Sequence, residues 1–187
     1  MGLLGFLGLE TPLPAKGTDT NRVSIDEDES ETMRRIVRTL KALPADQARY
    51  LAAFAYVLGR VAHADSHFSD EETRKMQEIV QRLGNLPEAQ ALLVVEIAKN
   101  EVRLFGGTDN YLVTRRFKEM ATPRQRTELL DCLFAVVASD ESITALEEGQ
   151  ARQISKELGL THDEFIAARA TYLKHLEALK GLRGLKA

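Results

Sequence analysis

The segment VAHADSHFSDEE, residues 61–72, has a counterpart 75 positions later in the chain, VVASDESITALE, residues 136–147. In each copy an apolar helical pattern ends in an aspartate, and a short turn follows that carries one apolar residue. A Ser or Thr followed by x-x-Glu, the capping-box signature of a helix N-terminus, then opens the next helix. The chain therefore contains two related helix-turn-helix units, which can bury their apolar faces on each other.

The register of this repeat holds on both sides of the turn. Residues that pair at the same spacing are Leu58 with Leu133, Val61 with Val136, Ile79 with Ile154, and Gly84 with Gly159. Outside the two units apolar residues also recur with the period of an α-helix, and no useful stretch alternates as a strand would. We expect an all-α fold, a single bundle of seven to eight helices in which the two units are related by a pseudo-twofold axis.

Composition divides the chain into three segments. Residues 1–22 are predicted to be a flexible apolar tail, Met1–Leu9, and a linker containing Pro, Gly and Thr; residues 23–180 carry the helical patterns; residues 181–187 form a short basic tail. At 187 residues the chain is long enough to bury a substantial core. We therefore expect one helical domain between two extensions.

The bulk composition argues against several classes of partner. A net charge of −3 gives no reason to expect nucleic acid, whose binding proteins usually carry a basic face. A local basic patch contains Arg115, Arg116, Lys118, Arg124 and Arg126, but glutamates interleave it, as on a solvated helix face. The single cysteine, Cys132, excludes an internal disulfide and fits a reducing, cytoplasmic compartment, where we expect it as a buried small hydrophobe.

The apolar tail Met1–Leu9 is far shorter than the ~20 residues of a membrane span. The free energy gained by burying its five large apolar side chains is similar in size to the entropic cost of ordering its backbone. No Lys or Arg precedes Lys16 to add attraction to anionic lipid. A weak peripheral membrane contact is one interpretation, and a frayed or self-docked tail is the other.

The repeat also doubles a pair of carboxylates. The four side chains are Asp65, Glu72, Asp140 and Glu147. If the two turns meet, like charges in one small volume oppose folding, and a bound divalent cation removes that conflict. Hard cations with oxygen ligands, Ca²⁺ or Mg²⁺, are favoured. His63 and His67 flank the first aspartate and leave Zn²⁺ open as a weaker alternative.

Each member of this set has a second interpretation. Glu72 and Glu147 complete capping boxes, and the aspartates suit Asx-turns. The cleft formed by the four carboxylates could therefore be empty of any ion. Four carboxylates are also enough for two catalytic metals, but no separate base or substrate clamp is visible in the sequence. We therefore expect no enzyme activity.

The doubled pattern Ala-Asp-x-x-Phe-Ser-x-x-Glu and Ser-Asp-x-x-Ile-Thr-x-x-Glu resembles the TerB family of tellurite-resistance proteins, whose fold also occurs beside J-domain co-chaperones. The resemblance covers roughly residues 46–179. It implies an all-helical fold with internal symmetry, an acidic metal-binding cluster at the four carboxylates above, and a stress response through protein complexes near the membrane. Ser66 and Glu141 stand where the family often has Gly, and no His-Pro-Asp of a J-domain is present.

The expected function is that of a non-catalytic, divalent-metal-binding stress-response protein of the TerB type. It would act through other proteins of a stress-response complex, in the cytoplasm or at the inner face of the membrane. A structural protein-interaction module without metal is the alternative, followed by a metal-dependent hydrolase.

Overall fold

In a computed structural model, residues 27–62, 69–100, 110–140 and 142–176 are described. They form eight α-helices: α1 Glu27–Ala42, α2 Ala45–Ala62, α3 Asp70–Arg82, α4 Glu88–Lys99, α5 Asn110–Met120, α6 Pro123–Val137, α7 Ala145–Leu158 and α8 His162–Ala170. Two short 3-10 helices, Ala138–Asp140 and Leu173–His175, follow α6 and α8. The described residues contain no strand, only one isolated bridge between Ile143 and Leu176. The predicted all-α class is confirmed.

Helix α2 lies at the centre of the bundle. Every side chain from Leu51 to Leu58 is fully buried, and the helix packs on α1, α4, α5, α6 and α7. Three alanines in this stretch let the neighbouring helices approach closely. The apolar run 91–98 predicts α4 as a central helix, and it is buried apart from Leu92 and the partly exposed Glu96. Helix α2 is the more completely enclosed of the two, because its alanines and Tyr56 extend burial beyond the apolar stripe visible in the sequence.

Capping boxes fix where four of the helices begin. In α3, α6, α7 and α8 the cap hydroxyl accepts from the backbone N–H three residues on, and that residue's side chain accepts from the cap N–H. The cap residues are Ser69, Thr122, Thr144 and Thr161. An N-cap of this kind contributes about 0.5–2 kcal/mol. These local hydrogen bonds explain why the sequence predicts the helix starts well.

The two repeated units, α2 with α3 and α6 with α7, pack across each other. Helix α2 contacts α6, while α3 packs on α6 and α7 packs on α2. The second helix of each unit thus packs on the first helix of the other unit, as expected for two units related by the repeat. The twofold axis itself stays a prediction.

Both predicted extensions fall largely outside the described residues. The apolar tail Met1–Leu9, the linker and the basic residues 181–187 are among the parts of the chain that the structure does not describe. The proposed segment boundaries therefore stay predictions. None of the helices in the described part is long and apolar enough to cross a membrane.

Candidate metal centre

A capping box formed by Ser69 and Glu72 begins α3, directly after the first acidic segment of the sequence. The Ser69 N–H donates to Glu72 Oε2 at 2.6 Å, and the Glu72 N–H donates to Ser69 Oγ at 3.2 Å. The hydrogen bonds from the Ser69 side chain and backbone hold the pKa of the Glu72 carboxyl below its ordinary value. Glu72 is therefore an oriented, ionised carboxylate at neutral pH.

The second acidic turn has the same arrangement in the same register. The Thr144 N–H and hydroxyl both donate to Glu147 Oε2 at 2.8 Å, and the Glu147 N–H donates to Thr144 Oγ1 at 3.2 Å. The apolar residue of this turn, Ile143, is buried, and its N–H donates to the His175 carbonyl at 2.7 Å. The chain after α8 thus covers one side of the turn.

The other predicted ligands lie wholly or partly outside the described residues. Asp140 ends the 3-10 helix that follows α6, but its side chain lies outside what the structure describes, as do Asp65, His63 and His67. Among the described residues, no group of three or more His, Cys, Asp or Glu that could hold a metal is found. Whether the four carboxylates converge therefore remains a prediction.

The two described glutamates suit metal ligation even though they cap helices. Each uses Oε2 for its capping box, and within the described part of the chain no group donates a hydrogen bond to either Oε1. An ionised carboxylate can accept about four hydrogen bonds or coordinate bonds. Capping and ligation are compatible here, because the cap fixes the carboxylate as outer-shell hydrogen bonds fix metal ligands.

A buried ion pair, absent from the predictions, joins α2 to α7. Arg60 Nη1 lies 2.6 Å from Glu157 Oε2 and donates to Thr114 Oγ1 at 2.6 Å, with side chains of Arg60 and Glu157 only 12% and 6% exposed. Gln153 donates to Glu157 Oε1 at 3.1 Å. Burial raises the pKa of Glu157, but the hydrogen bonds from Arg60 and Gln153 outweigh it, so the pKa lies below its ordinary value. The available signal was a lone arginine inside the apolar pattern of α2.

Much of the local basic patch is engaged within the fold. Arg115 and Arg116 pair with Glu119, and Arg124 pairs with Glu128. Arg126 donates to the Leu158 carbonyl at the end of α7. These contacts are those of a helix surface tied to its neighbours.

Cys132 is buried at the interface of α3 and α6, as predicted. Burial raises the pKa of its thiol, so the reactive thiolate is not populated at neutral pH. This cysteine is a packing residue.

Fold and site together define a class of protein: an all-helical domain in which α3 and α7, the second helices of the two repeated units, each begin with a Ser/Thr-x-x-Glu capping box. The sequence model of the tellurite resistance protein TerB matches residues 50–170, more than half of the chain, and spans both units. The chain belongs to the TerB family, as its doubled motif predicts. No curated protein and no solved structure gives a significant match.

Proposed function

We propose that this protein is a non-catalytic, divalent-cation-binding member of the TerB family, acting in tellurite or related stress responses through protein partners. One observation carries the proposal: Glu72 and Glu147 occupy equivalent positions, are held in the same hydrogen-bonded geometry, and receive no hydrogen bond on Oε1 from the residues that the structure describes. Family membership over residues 50–170 supports the link to tellurite resistance.

The proposed ligands are Glu72 and Glu147 together with Asp65 and Asp140. An all-carboxylate set favours Ca²⁺ or Mg²⁺, because hard cations prefer oxygen. His63 and His67 would add nitrogen ligands if Zn²⁺ binds instead. One shared site predicts one ion per chain, whereas two independent turns would bind two.

Isothermal titration calorimetry on chelator-treated protein tests this proposal. Ca²⁺, Mg²⁺ and Zn²⁺ are titrated in turn into wild type, Glu72→Gln and Glu147→Gln. The matched control is Glu164→Gln, because Glu164 completes the same Thr-x-x-Glu capping box in α8, away from both acidic turns. We expect one ion per wild-type chain, weaker binding in the first two variants and unchanged binding in the control. Equal binding in all three variants would contradict the proposal.

Two alternatives remain as outcomes of simple assays. A structural interaction module would bind none of the three ions, with an empty acidic cleft. A metal-dependent hydrolase would turn over generic phosphoesters in the presence of Mn²⁺. The proposal expects no turnover above the buffer rate.

The proposed partners are other proteins of a stress-response complex, in the cytoplasm or at the inner face of the membrane. Nucleic acid is not proposed, since the engaged arginines of the basic patch and the net charge of −3 do not favour it. A weak membrane contact through Met1–Leu9 is tested by flotation with anionic vesicles. The full chain should float weakly, and a chain lacking residues 1–21 should not.

A further inference from the structure

A cavity of about 390 Å³ opens between α3, α6 and the short 3-10 helix after α8. Ile79, Leu83, Ala135 and Tyr172 contribute apolar surface to it, and Arg82 and His175 also line it. This volume lies in the usual range of small-molecule sites, which are mostly apolar with a few polar groups.

The repeat explains why this cavity exists. At the spacing of 75 residues Ala135 corresponds to Arg60, and Arg82 corresponds to Glu157. In the α2–α7 interface these positions hold the buried ion pair Arg60–Glu157. In the α3–α6 interface the same positions hold an alanine and an arginine that line the cavity together. The second interface therefore has one arginine and no carboxylate at these two positions, and the small Ala135 leaves space where Arg60 fills the first.

The same difference in residues gives the two interfaces different electrostatics. In one interface the guanidinium meets a carboxylate from the opposing helix, whereas Arg82 lines the cavity with Ala135 and forms no ion pair within the described part of the chain. Lys75 and Glu78 also line the cavity, and Lys75 pairs with Glu71. Arg82 therefore offers a charged fork, at the edge of a cavity with both apolar and polar walls, to an incoming anion.

We propose that this cavity binds a small amphipathic carboxylate. Its carboxylate pairs with the Arg82 guanidinium, the planar fork that matches carboxylate geometry. Its apolar body covers Ile79, Leu83 and the Tyr172 ring, which is itself stacked on Phe134. The ligand thus supplies the carboxylate that Glu157 supplies in the other interface. This site shares no residue with the proposed cation site and needs no metal.

Titration of the full chain with decanoate, below its micelle concentration and in the presence of chelator, tests the inference. The chelator removes any contribution from a bound cation, so failure here is distinguishable from failure of the proposed metal site. We expect saturable binding with one decanoate per chain, and binding of the uncharged decanol weaker by about tenfold, the effect of one charged hydrogen bond.

Variants assign the site. Arg82→Gln should weaken decanoate binding by about tenfold, while Arg74→Gln, exposed on the same helix but away from the cavity, should not change it. Ala135→Arg and the smaller Ala135→Leu should both reduce binding by filling the cavity. Absence of saturable binding to wild type would overturn the inference. Equal affinities for wild type and Arg82→Gln would overturn it as well. Because Arg82 is exposed, its substitution leaves the core intact.

Discussion

Gly84 and Gly159 occupy equivalent positions in the repeat but are needed for different physical reasons. Gly159 caps α7 with φ +72°, in the left-handed region that favours glycine. A Cβ on Gly84 would lie 2.6 Å from the Val80 carbonyl oxygen and 3.1 Å from the Phe54 ring. The left-handed residue of the first unit is instead Asn85, with φ 51°. Close packing thus explains one glycine and backbone conformation the other.

Substitution separates the two roles. Gly84→Ala should destabilise the protein by about 1–3 kcal/mol, because the added methyl meets a backbone carbonyl that cannot move freely. Gly159→Asn should cost less, since Asn is one of the few residues besides glycine that adopt left-handed geometry and the Cβ would meet only the flexible end of Lys118. Urea denaturation measures both. A larger loss for Gly159→Asn than for Gly84→Ala would contradict this assignment.

Among the secondary-structure elements, helices α2 and α7 are joined by the ion pair between Arg60 and Glu157. The pair is nearly enclosed, so removal of one partner leaves the other charge in a poorly solvated place. Such single removals cost about 3–5 kcal/mol, even though the intact pair adds little net stability compared with apolar packing. Its clearest role is to fix how the two helices meet.

Glu157→Leu should therefore destabilise the protein by about 3–5 kcal/mol at neutral pH. The folded-state pKa of Glu157 lies below the ordinary value of 4.5, so its contribution is fully present above about pH 4.5. That contribution is lost as the pH falls through the lower, folded-state pKa. Urea unfolding at neutral pH and at steps below 4.5 should show the gap between wild type and variant shrinking. A gap that stays constant throughout acid titration would contradict this account.

At the scale of the whole molecule, the sequence predicts what local chemistry determines. Ser69, Thr144 and Thr161 were recognisable as helix starts because a capping box involves four consecutive residues. The geometry of Glu72 and Glu147 follows from the same local rule. The Arg60–Glu157 pair and the cavity beside Arg82 depend on which helices meet, which periodicity does not specify. Convergence of the two acidic turns is a tertiary question of the same kind.

The N-terminal residues offer a further test at this scale. Pro12, Pro14 and Gly17 separate the apolar tail from the helical domain in the sequence. Deleting residues 1–21 should therefore leave the melting temperature nearly unchanged. Differential scanning calorimetry compares the two chains. A fall of several degrees, worth at least about 1 kcal/mol, would show that the tail packs on the domain and would remove the basis for a membrane contact.

The shared cation site is the central claim, and melting curves test it most directly. The comparison covers wild type, Asp65→Asn, Glu72→Gln, Asp140→Asn and Glu147→Gln, each with chelator and with excess Ca²⁺, Mg²⁺ or Zn²⁺. An ion at about 100 times its dissociation constant adds about 2.7 kcal/mol of stability. For a chain of this size that raises the wild-type melting temperature by roughly 5–10 °C.

The effect of each substitution on the melting temperature, relative to wild type, should reverse in sign between the protein with ion and the protein with chelator. With the ion, each variant should gain less than wild type, because a ligand charge is gone. With chelator, each should melt at or above the wild-type temperature, since removal of one crowded charge relieves repulsion. If no ion moves the wild-type curve and the Gln variants melt where wild type does, the two acidic turns are capped helix starts and the shared site does not exist.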